Sequence, residues 1–367
     1  MDPAVKVCQS AQNCPVRRSR TGQFWAIVLL AALLCACLPD PTTTAPTQTS
    51  SDTAAGWYFV YFSDPGGPNA GSLRGGPDKY LADAIDQARL SVDVAVLDLD
   101  LWSIRDALLA AHRRGVTVRL VTDSDYIDNP EVQALKEAGI PVLGDRREGL
   151  MHDKFTVIDR LEVWTGSMNY TVNDAYRNNN NLIRIRSAEL AVDYTTEFDE
   201  MFVNDLFGPN TRADTPYPTL DVGGAQLEVY FSPDDGAAAH LLGLIRSARK
   251  SIYFLAYSFT SDDLAQALLE RAGAGVMVAG VMEASQVDSN QGGEYGRFRK
   301  AGLDVRLDDN PRQMHDKVMI IDGQIVVTGS YNFSANAERT NDENMLFIRD
   351  AEVAALYQAE FEKLFNP

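Results

Sequence analysis

Short runs of β-branched and apolar residues alternate along the chain with stretches whose apolar positions recur at helical spacing. Residues 91–97 and 116–122 read as strands, with a helix over 102–114 between them. A preceding helix over 78–88 places Leu81, Ile85 and Ala88 on one face. The same order returns later, with a strand over 251–259, a helix over 264–272 and a strand over 276–282. Such alternation predicts an α/β fold of mixed, mostly parallel sheets with helices on both faces.

The return is a duplication. Val60-Tyr61-Phe62-Ser63 reappears as Val229-Tyr230-Phe231-Ser232, and residues 151–202 align without a gap on 314–365, close to half of the positions being identical. The expected organisation is a first half over 56–213, a connector over 214–224 marked by Pro216, Pro218, Gly223 and Gly224, and a second half over 225–367. So short a connector predicts two pseudo-symmetric halves packed as one body.

Charge and the N-terminal region narrow the partners. The chain carries 33 Lys+Arg against 51 Asp+Glu, a net charge of −18, which repels long polyanions at a distance and leaves any anionic substrate dependent on a local basic pocket. All four cysteines, Cys8, Cys14, Cys35 and Cys37, fall within the first 37 residues, so the body has no disulfide, thiol nucleophile or cysteine metal site. Arg17, Arg18 and Arg20 precede an apolar run over 24–36 that is too short for a bilayer span and reads as a secretory signal. Leu34-Cys35-Ala36-Cys37 resembles the bacterial lipoprotein cleavage box, which implies Cys37 as the lipidated residue. Residues 38–55, rich in Thr and Pro, are expected to form a disordered tether. The expectation is an exported protein anchored by lipid to the extracytoplasmic membrane face, simple secretion being the alternative.

Two of the four histidines sit in matching surroundings: Met151-His152-Asp153-Lys154 with Asp159 following, and Met314-His315-Asp316-Lys317 with Asp322 following. On a strand, His and Lys two apart leave one face. A two-residue turn at Asp322-Gly323 pairs His315 with Ser330 in Gly329-Ser330-Tyr331-Asn332, and the same geometry pairs His152 with Ser167 in Gly166-Ser167-Met168-Asn169. Imidazole serves as nucleophile or proton carrier near neutral pH, and lysine brings positive charge. Ser167, Asn169, Ser330 and Asn332 offer neutral donors for nonbridging phosphoryl oxygens. Joined across a two-fold interface, these groups suit in-line chemistry at phosphorus, one imidazole attacking and the other protonating the leaving oxygen.

The His-x-Lys-x4-Asp motif followed by Gly-Ser-x-Asn, present twice, resembles the phospholipase D superfamily, and the second copy is similar to the small bacterial endonuclease of that superfamily. The resemblance spans roughly 57–367. It implies a metal-independent, cofactor-free, two-step reaction through a covalent phosphohistidine, resolved by water or an alcohol. It also implies an acid after the second motif that orients an imidazole: Glu343, whose counterpart in the first half is Asn180. A carboxylate favours imidazolium, so His315, supported by Glu343, is expected as the general acid and His152 as the neutral nucleophile. The expected substrate is a phospholipid, releasing its headgroup and phosphatidic acid; DNA or RNA is the alternative, and a catalytically silent phosphate-binding module a third. No second protein is needed to complete a site that one chain encodes twice.

Other residues have plainer readings. Asp159 and Asp322 sit at turns and are expected to fix them. His112 and His240 read as structural, and Asn181, matching Asn344, as a contact residue. Asp93, Asp98 and Asp100 read as a solvated strand end rather than a metal cluster. Arg146, Arg147, Arg297, Arg299, Lys300 and Arg312 suit either a phosphate-approach patch or ordinary solvated charge.

Overall fold

The computed structural model describes residues 56–367; the leader with Cys37 and the whole of the tether lie outside the described residues. In the first half, β1 (Tyr58–Phe62), α1 (Pro77–Gln87), β2 (Ser91–Val96), α2 (Trp102–Arg113), β3 (Thr117–Thr122), α3 (Pro130–Glu137) and β4 (Val142–Gly144) precede the motif strand β5 (Lys154–Ile158). β6 (Glu162–Gly166), α4 (Val172–Tyr176), β7 (Asn181–Arg186) and α5 (Ala188–Phe202) complete it. The second half opens with β8 (Thr219–Val222), β9 (Ala225–Ser232), α6 (Ala237–Ser247), β10 (Ser251–Ala256), α7 (Asp262–Gly273) and β11 (Met277–Met282). Then come α8 (Ala284–Ser289), α9 (Tyr295–Lys300), β12 (Asp304–Leu307), the motif strand β13 (Lys317–Ile321), β14 (Ile325–Gly329), α10 (Ala335–Arg339), β15 (Glu343–Arg349) and α11 (Ala351–Phe365).

Two mixed sheets result, ordered β1-β7-β6-β5-β2-β3-β4 and β12-β11-β10-β13-β14-β15-β9-β8. The expected predominance of parallel pairing is corrected. Only β2-β3-β4 and β10-β11-β12, the strands joined through helical crossovers, run parallel; every other pair is antiparallel. The reason is connection length, since β5-β6 and β13-β14 are hairpins whose loops are too short for a crossover. The expected connector is corrected too: residues 219–222 are strand, because β8 caps the free edge of β9.

Helices cover both faces of each sheet. α1 and α2 pack their apolar stripe on the outer face of the first sheet, and α6 and α7 do so on the second. Between the sheets lies a shared core in which Leu190, Tyr194 and Phe198 of α5 and Val353, Tyr357 and Phe361 of α11 meet inward residues of both. Tyr194 bridges the halves with edge-on contacts to Phe155 of β5 and Phe231 of β9, at 5.0 and 5.1 Å. Both Tyr194 and Tyr357 are fully buried; burying an aromatic ring of this size contributes about 2–3 kcal/mol. With this core running through both, the described residues 56–367 belong to one compact unit.

Each motif hairpin closes on the expected two-residue turn, the N–H of Leu161 donating to Ile158 O and that of Gln324 to Ile321 O, but Leu161 and Gln324 then stay outside the strand pairing. Asp159 and Arg160, and likewise Asp322 and Gly323, adopt positive φ, and Ile158 faces Glu162 as Ile321 faces Ile325. The register therefore shifts by one residue, and the expected pairings of His152 with Ser167 and His315 with Ser330 do not occur.

Candidate active site

β5 and β13 begin at the lysines, so each histidine stands in the connection just before its strand. That connection is stitched to the opposite half: the backbone N–H of His152 donates to Asp342 O at 3.0 Å, and that of His315 to Asn179 O at 2.8 Å. Residues 178–181 and 341–344, which lead into β7 and β15, thus dock against the histidine segment of the other half.

This exchange decides the partner of each imidazole. His152 Nδ1 lies 2.7 Å from Glu343 Oε2, whereas His315 Nδ1 meets Asn180 Oδ1 at 3.0 Å. The expected support of His315 by Glu343 is corrected: Glu343 serves His152. The reason is that the segment following each Gly-Ser-x-Asn motif crosses the interface, which spacing along one chain does not reveal. Both contacts are made by Nδ1.

A second crossed pair holds the frame. Asn181 Nδ2 donates to Asp316 Oδ1 at 2.7 Å and Asn344 Nδ2 to Asp153 Oδ1 at 2.8 Å, each across the halves. Their amide oxygens accept from Thr328 and Tyr357, and from Thr165 and Tyr194, respectively. The contact expected of Asn181 and Asn344 is therefore present, as frame rather than pocket lining. Ser167 Oγ donates to Asn180 Oδ1 at 2.9 Å and accepts from the Asn181 N–H at 3.1 Å; Ser330 Oγ accepts from the Asn344 N–H at 3.0 Å. The serine hydroxyls thus organise the asparagine segments. Asn169 and Asn332 differ, their buried Oδ1 atoms having no hydrogen-bond partner among the described residues.

Lys154 and Lys317 are buried, each Nζ donating to the carbonyl of its own motif histidine at 2.6 Å. Burial lowers Lys154 to about 8, and burial together with the nearby Lys154 charge lowers Lys317 to about 7. Burial and these two ammonium groups hold both imidazoles well below their usual value, so the neutral rings are favoured. Burial raises Glu343 to about 7, against the pull of Lys154, Asn341 and Ser330. The two imidazoles and two amines are buried close enough together for each histidine to feel both lysine charges.

Asp159 and Asp322 are structural, as expected. Each carboxylate accepts the backbone N–H groups of three consecutive residues, Arg89 to Ser91 and Arg249 to Ser251 respectively, tying the motif hairpin to the preceding helix–strand junction. Asp93 takes a bidentate contact from Arg119, Asp98 accepts from Asn129, and Asp100 accepts the Val172 N–H at the start of α4; Asp93 is buried in its ion pair rather than solvated as expected. Arg146 pairs with Asp205, Arg147 with Asp342, Arg297 with Glu294, and Arg299 with backbone carbonyls. His240 stacks on Tyr230, and His112 lies in the last turn of α2. A cavity of about 550 Å³ lined by Asp78, Trp102 and Tyr176 lies against α1 and α2 and includes none of the motif residues.

Two neighbours of His315 were not foreseen. Tyr257 sets its ring edge-on to the imidazole at 4.5 Å, with Lys317 Nζ 4.7 Å from the ring centroid. Asp174 of α4 brings Oδ2 to 3.5 Å from His315 Nδ1. The repeat alignment carried a signal for Asp174, since its counterpart is Ala337.

The family model described as "Cardiolipin synthase, PLD-like domain" matches residues 81–202 and 241–365. A mitochondrial cardiolipin hydrolase of Chlamydomonas reinhardtii is 29% identical over 164 residues, which cover 45% of this chain and 73% of that protein. A phospholipase D of Rickettsia bellii is 31% identical over 159 residues, covering 42% and 79%. The phosphatidylserine synthase of Haemophilus influenzae superposes over 78% of this chain and 83% of its own with a TM-score of 0.63 at 14% identity, a likeness of fold.

Proposed function

The chain belongs to the phospholipase D-like family, and on that premise we propose that it hydrolyses phospholipid phosphodiesters through a covalent phosphohistidine. At the coarser level it is a phosphoric diester hydrolase of the phospholipase D type. The observation that carries the finer reading is the crossed pairing, in which each imidazole has Nδ1 engaged from the opposite half.

In the proposed reaction Lys154, Lys317, Asn169 and Asn332 hold the nonbridging oxygens, and the phosphodiester's negative charge offsets the ammonium groups that keep the imidazoles neutral. His152 is the nucleophile, because the carboxylate now found on this ring stabilises a positive phosphohistidine as well as it would an imidazolium. The Glu343 carboxylate polarises its Nδ1–H and steadies the positive charge that the ring gains when Nε2 bonds to phosphorus. As the P–N bond forms, the P–O bond to the headgroup breaks and His315 delivers a proton from Nε2 to the leaving oxygen. His315 then takes a proton from water, whose oxygen attacks phosphorus and displaces His152, leaving phosphatidic acid.

Two observations favour a lipid over a polynucleotide. The net charge of −18 disfavours a long polyanion more than headgroups presented singly, and the relatives named above are a cardiolipin hydrolase and a phospholipase D. A lipid anchor at Cys37, with residues 38–55 as tether, raises the local concentration of such substrates and places the enzyme on the extracytoplasmic face.

The test incubates the purified full-length chain with liposomes of phosphatidylcholine, phosphatidylglycerol or cardiolipin, and separately with single- and double-stranded DNA, all in excess chelator. Headgroup release without nicking is the expected outcome. Nicking without headgroup release selects the nuclease, and no turnover of either leaves the silent phosphate-binding module.

A further inference from the structure

The two imidazoles are not served alike. His152 has a carboxylate on Nδ1, while the equivalent position facing His315 is the amide of Asn180. An amide fixes a tautomer but supplies no charge, whereas the acid–base role proposed for His315 requires the ring to carry a proton during the first step. The first half therefore lacks a carboxylate where the second has one.

A carboxylate is nevertheless present, from a different place in the repeat. At positions 174 and 180 the first half reads Asp and Asn; at the matching 337 and 343 the second half reads Ala and Glu. The acid and the neutral residue have changed places. Asp174 is buried, and its Oδ2 stands 3.5 Å from His315 Nδ1, beyond hydrogen-bond length but well within ion-pair range. It is held firmly: the Asn169 N–H donates to Oδ2 at 2.7 Å, Asn178 Nδ2 donates to Oδ1 at 2.6 Å, and Thr171 caps the turn that carries it. Asn180 Nδ2 donates to the Asp174 carbonyl at 3.2 Å, which turns the amide oxygen of Asn180 toward the ring. One residue thus aims the group that fixes the tautomer and places a negative charge behind it.

We infer that Asp174 is the counter-ion of His315, a positioning residue that supplies from α4 the charge Asn180 does not. It transfers no proton itself. It favours the imidazolium whose Nε2 proton goes to the leaving oxygen, so its effect scales with how much the leaving group needs that proton. This inference rests on the proposed function and assigns the source of His315's acidity within it.

The test compares two lipids differing only in leaving group, phosphatidylethanol and phosphatidyl-p-nitrophenol, in single-turnover measurements on the full-length chain. Asp174→Asn should slow ethanol release by about 10–100-fold and p-nitrophenol release by about threefold or less. The double variant D174A/N180E, which reproduces the arrangement of Ala337 and Glu343, should recover most of the lost ethanol release. Thermal melts of each variant check that it is folded. Equal slowing of both lipids, slowing of neither, or a selective loss that the relocated carboxylate fails to reverse would overturn the inference. Failure of the wild-type chain to release either alcohol is a separate result that removes the enzymatic reading and the inference together.

Discussion

The two halves share a frame and differ in how they treat their histidines. In both, a lysine opens the motif strand, an aspartate ties the hairpin to the preceding junction, and an asparagine crosses to the other half's Asp316 or Asp153. The differences gather around the imidazoles: Glu343 against Asn180, Asp174 against Ala337, and Tyr257 where the first half has Leu97. A symmetric homodimer presents the same surface twice and cannot make such distinctions. Duplication within one chain frees the two sets to diverge, so one imidazole can be tuned toward attack and the other toward proton transfer.

The largest effect should come from breaking that division at the rings themselves. His152→Ala should lower turnover by about 10³–10⁵-fold and abolish any trapped phosphoenzyme, whatever the leaving group. His315→Ala should cost as much with an alcohol leaving group yet still accumulate phosphoenzyme from a p-nitrophenyl ester, which departs without protonation. Mass mapping of the intermediate to the peptide containing His315 would reverse the two roles.

A smaller effect tests the shared charge. Lys317 and Lys154 are lowered to about 7 and about 8, so each is charged below that pH and neutral above it. Attraction for an anionic phosphodiester is therefore present on the acid side and lost as pH rises. The profile of kcat/KM, which reports the free enzyme, should fall about tenfold between pH 7 and 9. The alkaline limb of kcat should lie higher, because bound phosphate keeps both amines protonated. A kcat/KM profile flat to pH 9 would mean that the lysines retain their charge despite burial.

The smallest effect on catalysis belongs to the motif aspartates, where the halves are most alike. Asp322→Ala leaves three backbone N–H groups without their acceptor and should cost about 1–3 kcal/mol in denaturant unfolding. Single-turnover rates should change by about twofold or less, and Asp159→Ala should behave in the same way. A large loss of rate at unchanged stability would place these residues in the chemistry instead.

Much of this was readable before any coordinates. The strands and helices around 78–122 and 251–282 follow from local periodicity, because the spacing of apolar side chains within one element is a local property. The repeat, the two His-Lys pairs and the turn role of Asp159 and Asp322 follow from comparing the chain with itself. The errors share a cause. The hairpin register differs from the expected one by a residue because Leu161 and Gln324, just after the two left-handed turn residues, take no place in the strand pairing, and nothing in their side chains announces this. Beyond the register, the hydroxyls of Ser167 and Ser330 hold the asparagine segments, a role their place beside the motif does not reveal. Asp174 escaped because it belongs to neither motif and matters only through a ring 141 residues away.

Taken alone, the amino-acid order determined which groups are the candidates for chemistry and that they come in two sets, since residue type and periodic burial are written along the chain. Folding decided who serves whom: which imidazole receives Glu343, which is left with an amide, and where a replacement charge enters. Those assignments depend on contacts between segments remote in sequence, and such contacts exist only once the shared core of α5 and α11 has brought the halves together.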